Sequence, residues 1–307
     1  MLSRIAEALF WIGRYVERAD DTARILDVHL QTLLEDSGLE ESEACRGLLA
    51  VMGAWPPDGE LDRNVVLERL AYDMTNPSAI AGALSAAREN ARRARETIST
   101  HFWEYLNTTW IAIPQVCRSN TAAHEFFAWV RERALLVAGI ADATMSRDDA
   151  WHYLVLGRSL ERADMTARLV ATSTIAGVAP SWTTLLRSCG AHESYLRTYR
   201  GVASDERAAE FLLLDRLFPR SVLAALRQAE ICLGELTRVP ERAAVRDRAL
   251  RALGRARTGL EYRSLREVLV DLPEEMEQVQ RACSAASDAI ARRYFPGVTT
   301  DWLEGVS

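Results

Sequence analysis

Residues 13–24 read Gly-Arg-Tyr-Val-Glu-Arg-Ala-Asp-Asp-Thr-Ala-Arg, and residues 157–168 read Gly-Arg-Ser-Leu-Glu-Arg-Ala-Asp-Met-Thr-Ala-Arg. Nine of the twelve positions are identical, at a constant offset of 144 residues. Around the first copy, Ile5, Leu9, Ile12, Val16, Ala19, Ala23, Leu26 and Leu30 recur in steps of three and four. That is the stripe of an amphipathic helix. Tyr153, Leu156, Leu160, Ala163, Ala167 and Val170 hold the same stripe around the second copy. The spacing predicts long helices over residues 2–34 and 147–175.

On such a helix Gly13, Glu17, Asp20 and Arg24 form a second stripe, about 100° from the apolar one. Gly157, Glu161, Asp164 and Arg168 form its counterpart. Arg14 and Arg18, with Arg158 and Arg162, lie further round. A glycine inside a helix costs about 1 kcal/mol relative to alanine, so its presence in both copies points to close approach of a backbone or a bound group. Asp20 with Arg24, and Asp164 with Arg168, stand at the i, i+4 spacing of an ion pair within one helix. Three readings of these charged shoulders stay open. They are a solvated face, a buried ion-pair network where the two copies meet, or a polar cleft that binds an anionic or amide-bearing ligand. In the last, Glu17 and Glu161 are the acid/base candidates and the arginines are clamps.

The rest of the chain shows no sustained period-2 alternation, so the expected fold is all-α, a long antiparallel bundle of about ten helices. Residues 1–307 are expected to form one domain, with related halves of about 1–144 and 145–307. Further helices are expected over Ser42–Met52 and Leu61–Asp73, and from Asn76-Pro77 to about Leu106, with a break at Pro114. Others are expected over Ala122–Thr144, Trp182–Arg200, Glu206–Leu214, Ser221–Arg238, Ala243–Asp271 and Glu274–Tyr294. Breaks are expected at residues 36–38 and 177–180 and at Pro240. Trp302 and Leu303 stand on an otherwise polar tail.

Composition removes several classes of function. All 37 basic residues are arginine, which excludes Schiff-base, Walker-A and lysine-base chemistry. The net charge of −6 argues against nucleic acid. No apolar run reaches the roughly 20 residues that span a bilayer, and the opening residues do not read as a signal peptide, so the expected location is cytoplasmic. The five cysteines are scattered singly, without a metal or redox spacing. No His-x-x-x-His, Glu-x-x-His, P-loop or Gly-x-Ser-x-Gly occurs, so neither a metal nor a cofactor is expected. Asp149 with His152, and Cys189 with His192, are spaced to share a helical face. Arg88, Arg92 and Arg95 share another, which suits either an acidic shoulder or solvent.

Several longer words carry a family resemblance. They are the opening Met1–Arg24, Asn90–Ser99 with Trp103–Asn107, and Gly157–Asp164. Ala191-His192-Glu193-Ser194-Tyr195 and Phe218-Pro219-Arg220-Ser221-Val222 complete the set. In this order they resemble the bacterial alpha-E family, an all-helical domain with an E-R motif. The resemblance adds His192, Glu193 and Arg220 to the candidate binding or structural network. It implies an accessory or scaffold subunit of a peptide-bond-forming or peptide-modifying system, working with a circularly permuted ATP-grasp ligase. Transglutaminase-like peptidases are further implied neighbours. The alternative is an enzyme, or half of one, whose paired Glu/Arg shoulders bind a peptide carboxylate or amide.

Overall fold

A computed structural model describes residues 1–35, 40–54, 59–118, 122–173, 181–200, 204–237 and 247–296. The expected breaks at 36–38, 177–180 and Pro240, and the tail with Trp302 and Leu303, lie outside them. The described residues form fourteen α-helices and no strand. They are α1 (Ser3–Glu35), α2 (Glu41–Val51), α3 (Arg63–Leu67), α4 (Ile80–Arg93), α5 (Thr100–Arg118), α6 (Ala123–Thr144) and α7 (Asp149–Ser173). Then follow α8 (Trp182–Ser188), α9 (His192–Thr198), α10 (Asp205–Leu214), α11 (Val222–Thr237), α12 (Arg248–Glu261), α13 (Leu265–Val270) and α14 (Leu272–Tyr294).

The count exceeds ten because local capping and turn residues divide three of the expected helices. The stretch from Asn76 to Leu106 breaks between α4 and α5, where Ser99 Oγ accepts from the Phe102 amide and starts a new helix. Gly190, at φ +61°, separates α8 from α9. A capping box of Ser264 and Glu267 separates α12 from α13. Pro114 goes the other way and lies inside α5. It removes one amide near the end of a helix whose Phe102, Leu106 and Ile113 are buried, so packing carries the helix through.

Helices α1 and α7 form the centre. Ile5, Leu9, Ile12, Val16, Ala19, Ala23 and Leu26 are buried on α1, as are Tyr153, Leu156, Leu160, Ala163, Ala167 and Val170 on α7. The two pack more extensively against each other than any other pair. They run in the same direction. Contacts join Phe10 to Gly157, Glu17 to Arg162 and Arg18 to Glu161, so position along one helix rises with position along the other. Short loops force antiparallel neighbours, but more than a hundred residues separate these two helices. Each is flanked by antiparallel partners: α4 and α6 beside α1, α11 and α14 beside α7. No helix among the described residues is long and apolar enough to cross a membrane.

Candidate functional site: the interface of the two motif helices

The glycines set the distance between α1 and α7. A Cβ built on Gly13 would lie 2.0 Å from the Leu154 carbonyl oxygen, and one on Gly157 2.0 Å from that of Phe10. Leu154 stands 144 residues after Phe10, so the two contacts are equivalent. No side chain larger than hydrogen fits at either point.

With the backbones this close, the glutamate of each copy meets an arginine of the other. Arg18 donates through Nε to Glu161 Oε1 at 2.5 Å and through Nη2 to Oε2 at 3.1 Å. Arg162 donates in the same fork to Glu17, at 2.6 and 2.8 Å. The remaining nitrogens reach backbone carbonyls, Arg18 to Pro77 at 3.3 Å and Arg162 to Pro219 at 3.4 Å. A planar guanidinium suits this bidentate grip, which a lysine would not reproduce. Both glutamates are buried.

The equivalence then fails at one place. Glu161 takes a second arginine from its partner copy, Arg14, at 2.5 Å. The counterpart of Arg14 is Arg158, yet Glu17 takes its second cation from Arg220, at 2.8 Å. Arg220 also pairs with Asp20 and Asp21. Glu17, Asp20 and Asp21 converge closely enough to suggest a metal site, but the Arg220 guanidinium is their shared cation.

The last motif positions are used as well. Asp20 pairs with Arg24 at 3.1 Å and Asp164 with Arg168 at 3.2 Å. Each arginine runs beneath a glycine after a short helix packed on its flank. A Cβ on Gly190 would stand 2.6 Å from Arg24 Nη1, and one on Gly53 3.1 Å from Arg168 Nη1. Both glycines have positive φ.

The pairing reshapes the acid–base behaviour. Burial alone would raise Glu17 and Glu161; the arginines outweigh it and bring both to about 2. Burial pushes Asp21 up to about 8 against the pull of Arg220, and the charges of Glu17 and Asp20 add to the rise. Opposite pH dependences follow. The glutamates stabilise the fold fully above their ordinary value of 4.5, and that contribution is lost as pH falls toward 2. Folded Asp21 keeps a proton that the unfolded chain releases near 3.8, so stability falls as pH rises from there to about 8. Asp21→Asn should therefore flatten the alkaline decline and leave the acid limb in place. Thermal melts of both proteins from about pH 2 to about pH 9 check this; an unchanged alkaline slope in the variant rejects Asp21 as the group responsible.

His192, Glu193 and the Arg88 face stand apart from this network, whereas Cys189 lies beside Asp21 and Arg220. His192, half-buried, and Glu193, exposed, open α9 and take no part in the described ion pairs. Cys189 belongs to the end of α8 beyond the Gly190 turn from His192, and burial pushes its thiol up to about 12. The Arg88 face meets aromatic rings as well as an acid: Arg88 stacks on Trp110 at 4.6 Å and on Trp103 at 5.3 Å, and Glu89 of the same helix lies 3.7 Å from Arg88 and 2.7 Å from Arg92. Asp21 escaped the sequence reading because the second copy has methionine there. Its position one turn after Glu17 was the available signal.

The chain belongs to the Alpha-E family, described as a predicted alpha-helical domain with a conserved ER motif, whose model matches residues 1–295. Its E-R words are the residues that join α1 to α7. Among similar curated proteins are uncharacterized proteins of Mycobacterium bovis and Mycobacterium tuberculosis. Each is 26% identical over 262 residues, covering 76% of this chain. This chain spans only 30% of the length of those relatives. No solved structure matches it significantly.

Proposed function

We propose that the chain is a helical accessory module, and that its E-R network is a structural keystone rather than a catalytic centre. The observation that carries this is the complete engagement of Glu17 and Glu161. Each is buried and gripped by two arginines. A carboxylate held ionised down to about pH 2 is a poor proton donor and a weak base near neutrality, which favours the structural role over the acid–base one. In this reading residues 1–307 form one domain whose two halves, about 1–144 and 145–307, are joined by the paired helices.

The family resemblance supplies the partner, a circularly permuted ATP-grasp ligase of a peptide-forming or peptide-modifying system in the cytoplasm. The longer relatives support a module that works beside others, since a region like this chain makes up 30% of them. Leu217 and Tyr262, 91% and 80% exposed, neighbour the ion-paired Arg216 and Glu261 and offer apolar area to a partner. The test is co-purification of the full chain with the ATP-grasp protein encoded beside it. A complex at micromolar concentration, or a change in that protein's ATP turnover, is expected. Absence of both overturns the proposal.

A further inference from the structure

Two grooves flank the central pair at equivalent positions, and they differ in charge. The groove between α1 and α4 has a cavity of about 240 Å³ whose charged lining is Glu7, Glu89 and Arg93, beside Trp11 and Tyr15. The groove between α7 and α11 has one of about 430 Å³, into which Arg147, Arg158, Arg162, Arg216 and Arg227 converge against the single acid Asp142. The larger volume lies within the usual range for a small-molecule site.

Three of these arginines are already neutralised: Arg147 by Asp142, Arg162 by Glu17 and Arg216 by Glu261. Arg158 and Arg227 make no ion pair or hydrogen bond among the described residues. For Arg158 the cause is visible. Its counterpart Arg14 grips Glu161, but Arg220 has taken the equivalent place on Glu17. Arg158 is left half-buried and lining the groove. Burial, and then the charge of Arg162, push it below its ordinary value, outweighing the opposing pull of Glu17 and Asp142.

The rest of the wall combines apolar side chains with Ser159 and Gln228. Trp151 lines it beneath the Arg147 guanidinium, 4.3 Å from the ring centre. Leu217 and Ile231, 91% and 48% exposed, line it too. Two uncommitted guanidinia beside such a wall match an oxyanion carried on an apolar body, since guanidinium pairs bidentately with carboxylate and phosphate alike.

We propose that the groove between α7 and α11 is a binding site for a small organic oxyanion, with Arg158 and Arg227 as its cations and Trp151, Leu217 and Ile231 as its apolar wall. The site goes beyond the accessory role and is tested on the chain alone.

Calorimetric titration of the full chain with phenyl phosphate and with benzylmalonate tests it, because the two ligands share an aromatic body and a dianionic head. Binding of either in the submillimolar range is expected; the tighter one identifies the head group as phosphate ester or carboxylate. Arg158→Gln should weaken it by about tenfold or more. The exposed Arg227→Gln, which touches no buried pair, should weaken it several-fold. Glu89→Gln, in the opposite groove, should leave it unchanged. The proposal is overturned if neither ligand binds up to about 10 mM. It is equally overturned if both arginine variants, folded by circular dichroism, bind as tightly as the parent.

Discussion

Glu161→Gln is expected to cost about 3–5 kcal/mol of folding stability, the range for breaking a buried ion pair by removing one partner. The substitution keeps shape and one acceptor oxygen but removes the charge. Arg14 and Arg18 then remain at the α1–α7 interface, with side chains only 11% and 19% exposed, facing a neutral amide. Burial that was tolerable for three charges becomes costly for two cations. Denaturant unfolding at neutral pH measures the loss. Arg92→Ala is the control, because its pair with Glu89 is exposed and should be worth at most about 0.5 kcal/mol. A loss at Glu161 no larger than at Arg92 refutes the keystone role.

Gly157→Ala should be nearly as damaging, at about 3 kcal/mol, near the upper end for overpacking a well-filled interior. The new methyl would lie 2.0 Å from the Phe10 carbonyl oxygen and 2.9 Å from its carbon. Backbone cannot turn aside as a side chain can, so α1 and α7 must separate. Every fork between them then lengthens, including those of Glu17 and Glu161. Gly139 supplies a contrast of sign. It lies inside α6 with nothing within 4 Å of a built Cβ, so Gly139→Ala should stabilise by about 0.5–1 kcal/mol through helix propensity. Paired melting curves decide this; equal shifts at the two glycines would refute the close contact.

How much of this was legible beforehand depends on the range of each interaction. The apolar stripes of α1 and α7 were readable because helical periodicity is local. So were the i, i+4 pairs of Asp20 with Arg24 and Asp164 with Arg168. Helix starts were readable where a proline stood in the first turn, as Pro273 does in α14. They were missed where one polar side chain competed with a long apolar pattern, as at Ser99 and Ser264. Those two boundaries, with the Gly190 turn, account for the count of about ten against fourteen.

The sequence by itself determined that the chain is helical, that two helices share one charged word, and which of their faces are apolar. Composition and 3.6-residue periodicity suffice for that, because they act between residues a turn or two apart. The tertiary structure alone decided that the two helices run parallel and that each glutamate is held from the opposite copy. It also decided that Arg220, about 200 residues from Asp20 in the chain, displaces Arg158 from Glu17. Which cation reaches a buried carboxylate is set by distances of a few ångströms, and sequence separation carries no record of them.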